Sequence, residues 1–227
     1  SFSDSKVNFI TPMGWTSGFV AGSFWYMYEH NQDQSWLNTA VEWTNALEDM
    51  RFNRKTHDVG FIINNSFGNG VRLTGNESYP PILVSTAQTL MERYNPKIGA
   101  TFSWSWGVWE FPVIIDNMMN LELLFNASLA TGDKTYYDAA VSHATVTMKH
   151  HFRDDFSSYH LVNYSRDTGL PLTKQTFQGI TDDSSWARGQ SWGAYGYTMV
   201  YRYTKDEKFL NHARNIVNYI LTHKNMP

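Results

Sequence analysis

The sequence predicts an all-α protein whose helices pair as hairpins around a common axis, the architecture of an (α/α) toroid. Three observations predict it. Apolar residues recur at three- and four-residue spacing through most of the chain, with little strand-like alternation. Three helices open on the same kind of polar turn, "NQDQSWLNTA" at 31–40, "TGDKTYYDAA" at 131–140 and "TKDEKFLNHA" at 204–213, each closely behind another helix. The helices that lead the hairpins start differently, on "GWTSGF" (14–19), "THDVGF" (56–61), "IDNMMN" (115–120) and "WARGQSWG" (186–193), which mix aromatic residues or glycine with charged and amide side chains.

In chain order, the periodicity predicts helices over 16–29, 34–50, 59–67, 80–94, 116–130, 134–150, 187–203 and 206–222. The segment "SSYHLVNY" with the following "SRDTGLPL" reads as a short β-hairpin or extended loop. These helices make four hairpins. A closed ring of six, at roughly 50 residues each, would need about 300 residues. Residues 1–227 are therefore expected to form one (α/α)6 barrel domain that is incomplete at both ends. Free N–H groups and the positive dipole end at each leading helix start suit an oxygen-rich or anionic ligand, so a ring that brings four such starts to one mouth would create a site there.

Composition narrows the function classes. With 18 Lys and Arg against 21 Asp and Glu the formal net charge is −3, and charged residues are 17 % of the chain, so a general attraction to nucleic acid or membrane is not expected. No apolar run approaches the roughly 20 residues of a membrane span, and "SFSDSKVNFITPMGW" has no signal-peptide core. There is no cysteine, which removes disulfides, thiolate metal sites and Cys nucleophiles. Nine Trp and an aromatic content of 16 % suit stacking on sugar rings as well as core packing. HExxH, P-loop, GxSxG and GxGxxG motifs are absent, leaving zinc-protease, NTPase, α/β-hydrolase and dinucleotide readings without support.

Carboxylates remain as the acid/base groups. Asp116, between "FPVII" and "NMMNLELL", is the leading candidate for a buried acid, because apolar surroundings favour the protonated form; Asp58 is second. The simpler reading of each is an N-cap, but a cap does not require Asn117 and Asn120 beside Asp116. Asp182, Asp183, Ser184 and Ser185 read as caps for the helix that carries Arg188. Arg188, flanked by Trp186, Gln190 and Trp192, offers a guanidinium to a carboxylate, with a salt bridge to Asp182 or Asp183 as the alternative. Gly189, Gly193 and Gly196 read as a close helix-packing face. His150 and His151 fall at a helix end, where a positive charge offsets the dipole, and no metal is expected there. His57, and His160 in a stretch read as exposed, are placed as substrate hydrogen-bonding groups.

The motifs "THDVGF", "DNMMNLELL" and above all "QGITDDSSWARGQSWG" resemble the unsaturated glucuronyl hydrolases of glycoside hydrolase family 88, and the resemblance covers nearly the whole chain. It implies an (α/α)6 barrel and an enzyme that removes a 4,5-unsaturated uronic acid from the non-reducing end of oligosaccharides left by polysaccharide lyases, by hydrating the vinyl ether and not by direct displacement. It further implies Asp116 as the acid/base, Asp58 as the second essential carboxylate beside His57, and Gln178, Arg188 and Trp192 on the unsaturated sugar. His160 and Trp15 line the same pocket, and Trp104 or Trp106 stacks nearby. No cofactor or metal is implied. The expected partner is the unsaturated oligosaccharide, without nucleic acid or membrane, for a monomer or weak oligomer in a bacterial periplasm or cytoplasm. Val20 and Ala21, smaller than the resemblance leads one to expect, suggest an altered subsite shape. The alternatives are an unsaturated rhamnogalacturonyl hydrolase, which more often has "RGN" for "RGQ", a direct glycosidase of the same barrel, and a noncatalytic sugar-binding toroid.

Overall fold

The computed structural model describes residues 2–3, 6–7 and 11–224. Positions 1, 4, 5, 8–10 and 225–227, which include much of the N-terminal stretch read for a leader and the closing "NMP", lie outside the described residues. Two short strands, β1 (Phe2–Ser3) and β2 (Lys6–Val7), pair antiparallel ahead of the helical body.

Four helical hairpins follow. The first is α1 (Ser17–Asn31) with α2 (Gln34–Asn45). In the second, α3 (Val59–Ile63) passes through a wider π turn at Asn64–Gly68 into α4 (Asn69–Thr74), and α5 (Pro80–Met91) returns. The third opens on a 3₁₀ turn at Ile115–Asn120 that runs into α6 (Leu121–Thr131), with α7 (Lys134–His150) returning. The fourth is α8 (Ala187–Thr204) with α9 (Glu207–Thr222). The expected helices are all present, but that over 34–50 breaks at Asn45 before a 3₁₀ turn at Glu48–Phe52, and that over 80–94 stops at Met91. Among the described residues no helix is long and apolar enough to cross a membrane.

The repeated polar turns have one construction. Gln32, Gly132 and Lys205 adopt φ of 57°, 74° and 57°, and their N–H groups close the preceding helix on the carbonyls of Tyr28, Ser128 and Tyr201 at 2.7, 2.8 and 2.8 Å. The next residue is Asp each time. Asp33, Asp133 and Asp206 accept from the backbone N–H of Ser35, Thr135 and Lys208 at 2.8, 2.8 and 3.0 Å, capping the returning helix. A left-handed residue followed by a capping Asp reverses the chain in two residues, which forces the two helices to lie antiparallel and in contact. The second hairpin lacks this device: Gly75 at φ 65° leads into a longer connection, and Pro80 occupies the first turn of α5.

The leading helices pack side by side and their crossings are close. A Cβ on Gly60 of α3 would lie 2.6 Å from Cα of Asn120, and one on Gly18 of α1 would lie 2.3 Å from the carbonyl oxygen of Ile62. The glycine face of α8 is a packing face, as expected: a Cβ on Gly189 would meet Ile115 at 2.9 Å and one on Gly196 would meet Met118 at 2.6 Å. The helices are accompanied by a sheet the sequence shows only in part. β6 (Leu161–Tyr164) and β7 (Pro171–Gln175) form the expected hairpin, and β5 (Pro112–Ile114) adds a third antiparallel strand on the other side of β6. A further pair, β3 (Tyr94–Asn95) and β4 (Ala100–Thr101), follows α5. β5 runs directly into the 3₁₀ turn carrying Asp116, and the N–H of Ile115 donates to the carbonyl of His160 at 2.9 Å, so the sheet delivers Asp116 and His160 side by side.

Because Gly60 meets the Asn120 backbone at 2.6 Å as well as its side-chain oxygen, Gly60→Ala must separate α3 from the Asp116 turn. We expect it to cost about 1–3 kcal/mol, read as a lower midpoint in thermal or urea unfolding, whereas Gly75→Ala, with open space around its Cβ position, should cost only the strain of its positive φ.

Candidate active site

The four leading segments converge. Trp15 precedes α1, His57 and Asp58 precede α3, Asp116 sits in the 3₁₀ turn, and Arg188 opens α8. Trp15, His57, Asp58, Asp116 and Arg188 all line one cavity of about 240 Å³. Trp104, Trp106 and Gln178 line it too, from the loops after β4 and β7. Residues not singled out from the sequence complete the wall: Lys55, Thr56, Phe61, Ser103, Ile114 and Phe177. Trp192 lies beside this wall, 6.4 Å from the ring of Trp15 and 5.4 Å from that of Phe61, and faces an adjoining cavity with Phe19 and Met119. Val20 and Ala21 line neither cavity; Ala21 is packed in the core.

Asp116 is 8 % exposed. Burial is the main reason its carboxyl is pushed up to about 7; the nearby Asp58 also raises it, while its own backbone N–H, the Arg188 charge and the indole of Trp192 act the other way. The turn has no side-chain cap, so Asp116 is not spent on the helix start. Its neighbour Asn117 is spent on a tie to another loop. The amide of Asn117 donates to the carbonyl of Thr101 at 2.8 Å and accepts from the Ser103 hydroxyl at 3.0 Å, tying the turn to the loop that bears Trp104. Asn120 fills the crossing with Gly60. Asp58 does not cap α3 either; it accepts from the Thr56 hydroxyl at 2.7 Å and lies 3.4 Å from Nε2 of His57.

His160 is buried, not exposed as its polar neighbours suggest. Its Nδ1 accepts from the backbone N–H groups of Phe177 at 2.9 Å and Gln178 at 3.2 Å. An atom that accepts twice carries no hydrogen, so the ring hydrogen is on Nε2, which faces Oδ1 of Asp116 at 3.8 Å. Burial, with Arg188 and His57 adding to it, lowers the imidazole to about 4. Near neutral pH this is accordingly a neutral imidazole beside a carboxyl group, not an ion pair. At 3.8 Å the two are too far apart for a hydrogen bond, and both Oδ1 of Asp116 and Nε2 of His160 are buried without a partner among the described residues. Asp116 lines the cavity, whereas His160 does not, contrary to expectation: its side chain has no exposure and lies behind Asp116.

Arg188 donates to Oε1 of Gln178 at 2.6 Å, and its guanidinium lies 4.4 Å from the Trp186 ring and 5.5 Å from the Trp15 ring. Among the described residues it makes no ion pair, which overturns the alternative partners Asp182 and Asp183. Nor do the four expected caps act on α8, whose first turn has no side-chain cap. Asp182 instead accepts from the N–H of Thr176 at 2.8 Å, Ser184 bonds Thr181, and the Ser185 hydroxyl donates to Gln190 at 2.9 Å. The loop uses its polar groups to fold on itself and present Gln178 to Arg188. The helix-end histidines are also different from expectation. His151 is fully buried, burial lowers it to about 3, and Nε2 bonds the Val113 carbonyl at 3.0 Å; burial lowers His150 as well, so neither offers the dipole a cation near neutral pH.

An unsaturated glucuronyl hydrolase from Formosa agariphila is 44 % identical over 230 residues, spanning all of this chain and 58 % of that protein. A crystal structure of an unsaturated glucuronyl hydrolase specific for heparin superposes with a TM-score of 0.96 at 46 % identity, covering 99 % of this chain and 60 % of that one. The chain belongs to the unsaturated glucuronyl hydrolase family. An unsaturated chondroitin disaccharide hydrolase from Streptococcus pneumoniae is 37 % identical over 215 residues, 91 % of this chain and 54 % of its own length. The chain thus spans little more than half the length of the relatives it matches. No protein-family model matches it. The unsaturated glucuronyl hydrolase fold explains the all-α class and the hairpin repeat together.

The raised carboxyl has a thermodynamic signature. Between the ordinary Asp value of 3.8 and about 7, the folded chain holds a hydrogen on Asp116 that the unfolded chain has lost, so this group lowers stability progressively as pH rises through that window, and the penalty is full above about 7. Asp116→Asn removes it. The variant should be more stable than the parent at pH 8, by up to a few kcal/mol, with the difference shrinking toward pH 4; urea unfolding at the two pH values checks this.

Proposed function

We propose that the protein removes the 4,5-unsaturated uronic acid from the non-reducing end of lyase-generated, glycosaminoglycan-type oligosaccharides by hydrating the vinyl ether. The observation that carries this reading is Asp116: a buried carboxyl raised to about 7, in one cavity with a guanidinium that has no carboxylate partner among the described residues. An acid that gives its hydrogen to carbon must be protonated near neutral pH, and a cation without a counter-charge suits the carboxylate of a uronic acid. Relatives named for glucuronyl, chondroitin-disaccharide and heparin substrates support the same substrate class.

In this reading the uronate carboxylate lies on Arg188, with Gln178 holding the guanidinium and Trp15 and Trp186 bracketing it. Trp104 and Trp106, stacked on each other at 4.7 Å, offer a flat apolar face to sugar at the mouth. Asp116 donates its hydrogen to C4, and positive charge develops at C5, shared with the ring oxygen. The Asp116 carboxylate then accepts a hydrogen from the water that adds to C5, which regenerates the acid. The resulting hemiketal opens by breaking its bond from C5 to the ring oxygen, and the hemiacetal carbon at C1 expels the next sugar. Asp58, with His57 beside it, places a second carboxylate near the developing charge and keeps Asp116 protonated. The Nε2–H of His160, behind Asp116, is aimed at its oxygen.

Loss of ultraviolet absorbance from an unsaturated disaccharide tests the reaction. The full protein should bleach the alkene and leave saturated nitrophenyl glycosides intact; binding without bleaching would leave only a sugar-binding toroid. Because the free enzyme must hold Asp116 protonated, kcat/KM should fall about tenfold per pH unit above pH about 7. Asp116→Asn should bind the disaccharide and lose more than about a hundredfold in kcat.

A further inference from the structure

Arg93 lies just beyond α5, outside the cavity, and is 7 % exposed. A buried guanidinium is expensive unless charge or hydrogen bonds compensate it. Here the direct hydrogen bonds go to backbone carbonyls, with the charges of Asp58 and Glu92 acting from further away. Arg93 donates to the carbonyl of Arg54 at 2.6 Å, to that of Ser103 at 3.1 Å and, more weakly, to that of Phe102 at 3.5 Å, and its guanidinium lies 4.8 Å from the Phe102 ring. Among the described residues no carboxylate is within ion-pair distance; the adjacent Glu92 is held by Arg54. The two carbonyls it joins belong to different parts of the site. Arg54 begins the turn that carries His57 and Asp58. Ser103 precedes Trp104, and its hydroxyl bonds both Asn117 at 3.0 Å and the N–H of Ile114 at 3.0 Å, the residues on either side of the segment that holds Asp116.

We propose that Arg93 is a positioning residue: its fork fixes the His57–Asp58 turn against the Ser103–Asn117 tie that holds Asp116, and its charge acts on His57. Apolar packing alone would be served better by a methionine, whose burial carries no charge penalty. A fork with two arms on two loops holds a distance that a single contact would not. The charge acts on His57, which burial already lowers; Asp58 opposes that and Arg93 adds to it. The other titratable groups facing His57 are His143 of α7, His160 just before β6 and, across the cavity, Asp116. The role in turnover rests on the proposed reaction, whereas the effect on His57 does not.

The test compares Arg93→Met and Arg93→Lys in the full protein by unsaturated-disaccharide kinetics, the His57 imidazole titration by NMR, and thermal unfolding. In Arg93→Met we expect kcat to fall at least tenfold with KM within about threefold, and the His57 titration to move to higher pH. Arg93→Lys, which retains charge without the fork, should leave the His57 titration in place and recover part of kcat. A folded Arg93→Met with kcat within twofold of the parent overturns the proposal. So does a His57 titration that is unmoved in Arg93→Met while Arg93→Lys loses as much activity, since that pattern marks a purely structural role. If Arg93→Met does not fold, Arg93→Lys decides: a kcat equal to the parent's overturns the fork, and a moved His57 titration overturns the charge. A parent protein that leaves the disaccharide untouched would defeat the reaction and leave the His57 result to judge Arg93.

Discussion

The site depends on a carboxyl group held out of water with no cation in contact among the described residues. Asp116 has a second carboxylate in the same cavity and a neutral imidazole 3.8 Å away, and the guanidinium in that cavity is engaged with Gln178. Burial and the Asp58 charge favour the protonated acid and outweigh the opposing charge of Arg188. A salt bridge at the same place would stabilise the fold and destroy the acid, because an opposite charge within about 4–6 Å restores the ionised form. The cost to stability is the same free energy that makes the group useful.

Keeping such a group in place requires a rigid surround, and the fold supplies it by close crossings and polar ties more than by caps. Gly60 and Gly18 let α3 approach Asn120 and α1 approach α3 at backbone distance, which draws the helix starts toward one mouth. Asn117 joins the Asp116 turn to the Thr101–Ser103 strand end, and the three-stranded sheet sets His160 beside it. The left-handed turns with their capping Asp residues do the coarser work of folding the chain back on itself three times with the same geometry.

Much of this was legible in the sequence because it is local. A left-handed residue and an Asp cap are chosen by the two residues concerned, so the hairpin repeat could be read directly, and the four leading helix starts stood out by their mixture of polar and aromatic side chains. Asp116 was legible from its apolar flanks. What sequence reading missed depends on tertiary packing. β5 is buried throughout, so "PVI" shows no alternation and merges with the helix that follows. His160 sits among polar neighbours whose groups turn inward, and His151 is neutral because the sheet covers it. Asp182 and Ser185 have the composition of caps but bond within their loop, as such side chains do when the chain offers a nearer donor. Arg93 follows a helix end, where an arginine ordinarily faces solvent, and nothing nearby in sequence shows that two loops close over it.

The most direct measurement of the central claim is the ionisation of Asp116 itself, followed by ¹³C NMR of its labelled side-chain carboxyl in the folded protein, with Asp116→Asn used to assign the signal. The account predicts a single-residue titration with its midpoint near 7, well above the ordinary Asp value of 3.8. A midpoint near 4 would show a solvated, ionised carboxylate and would contradict it.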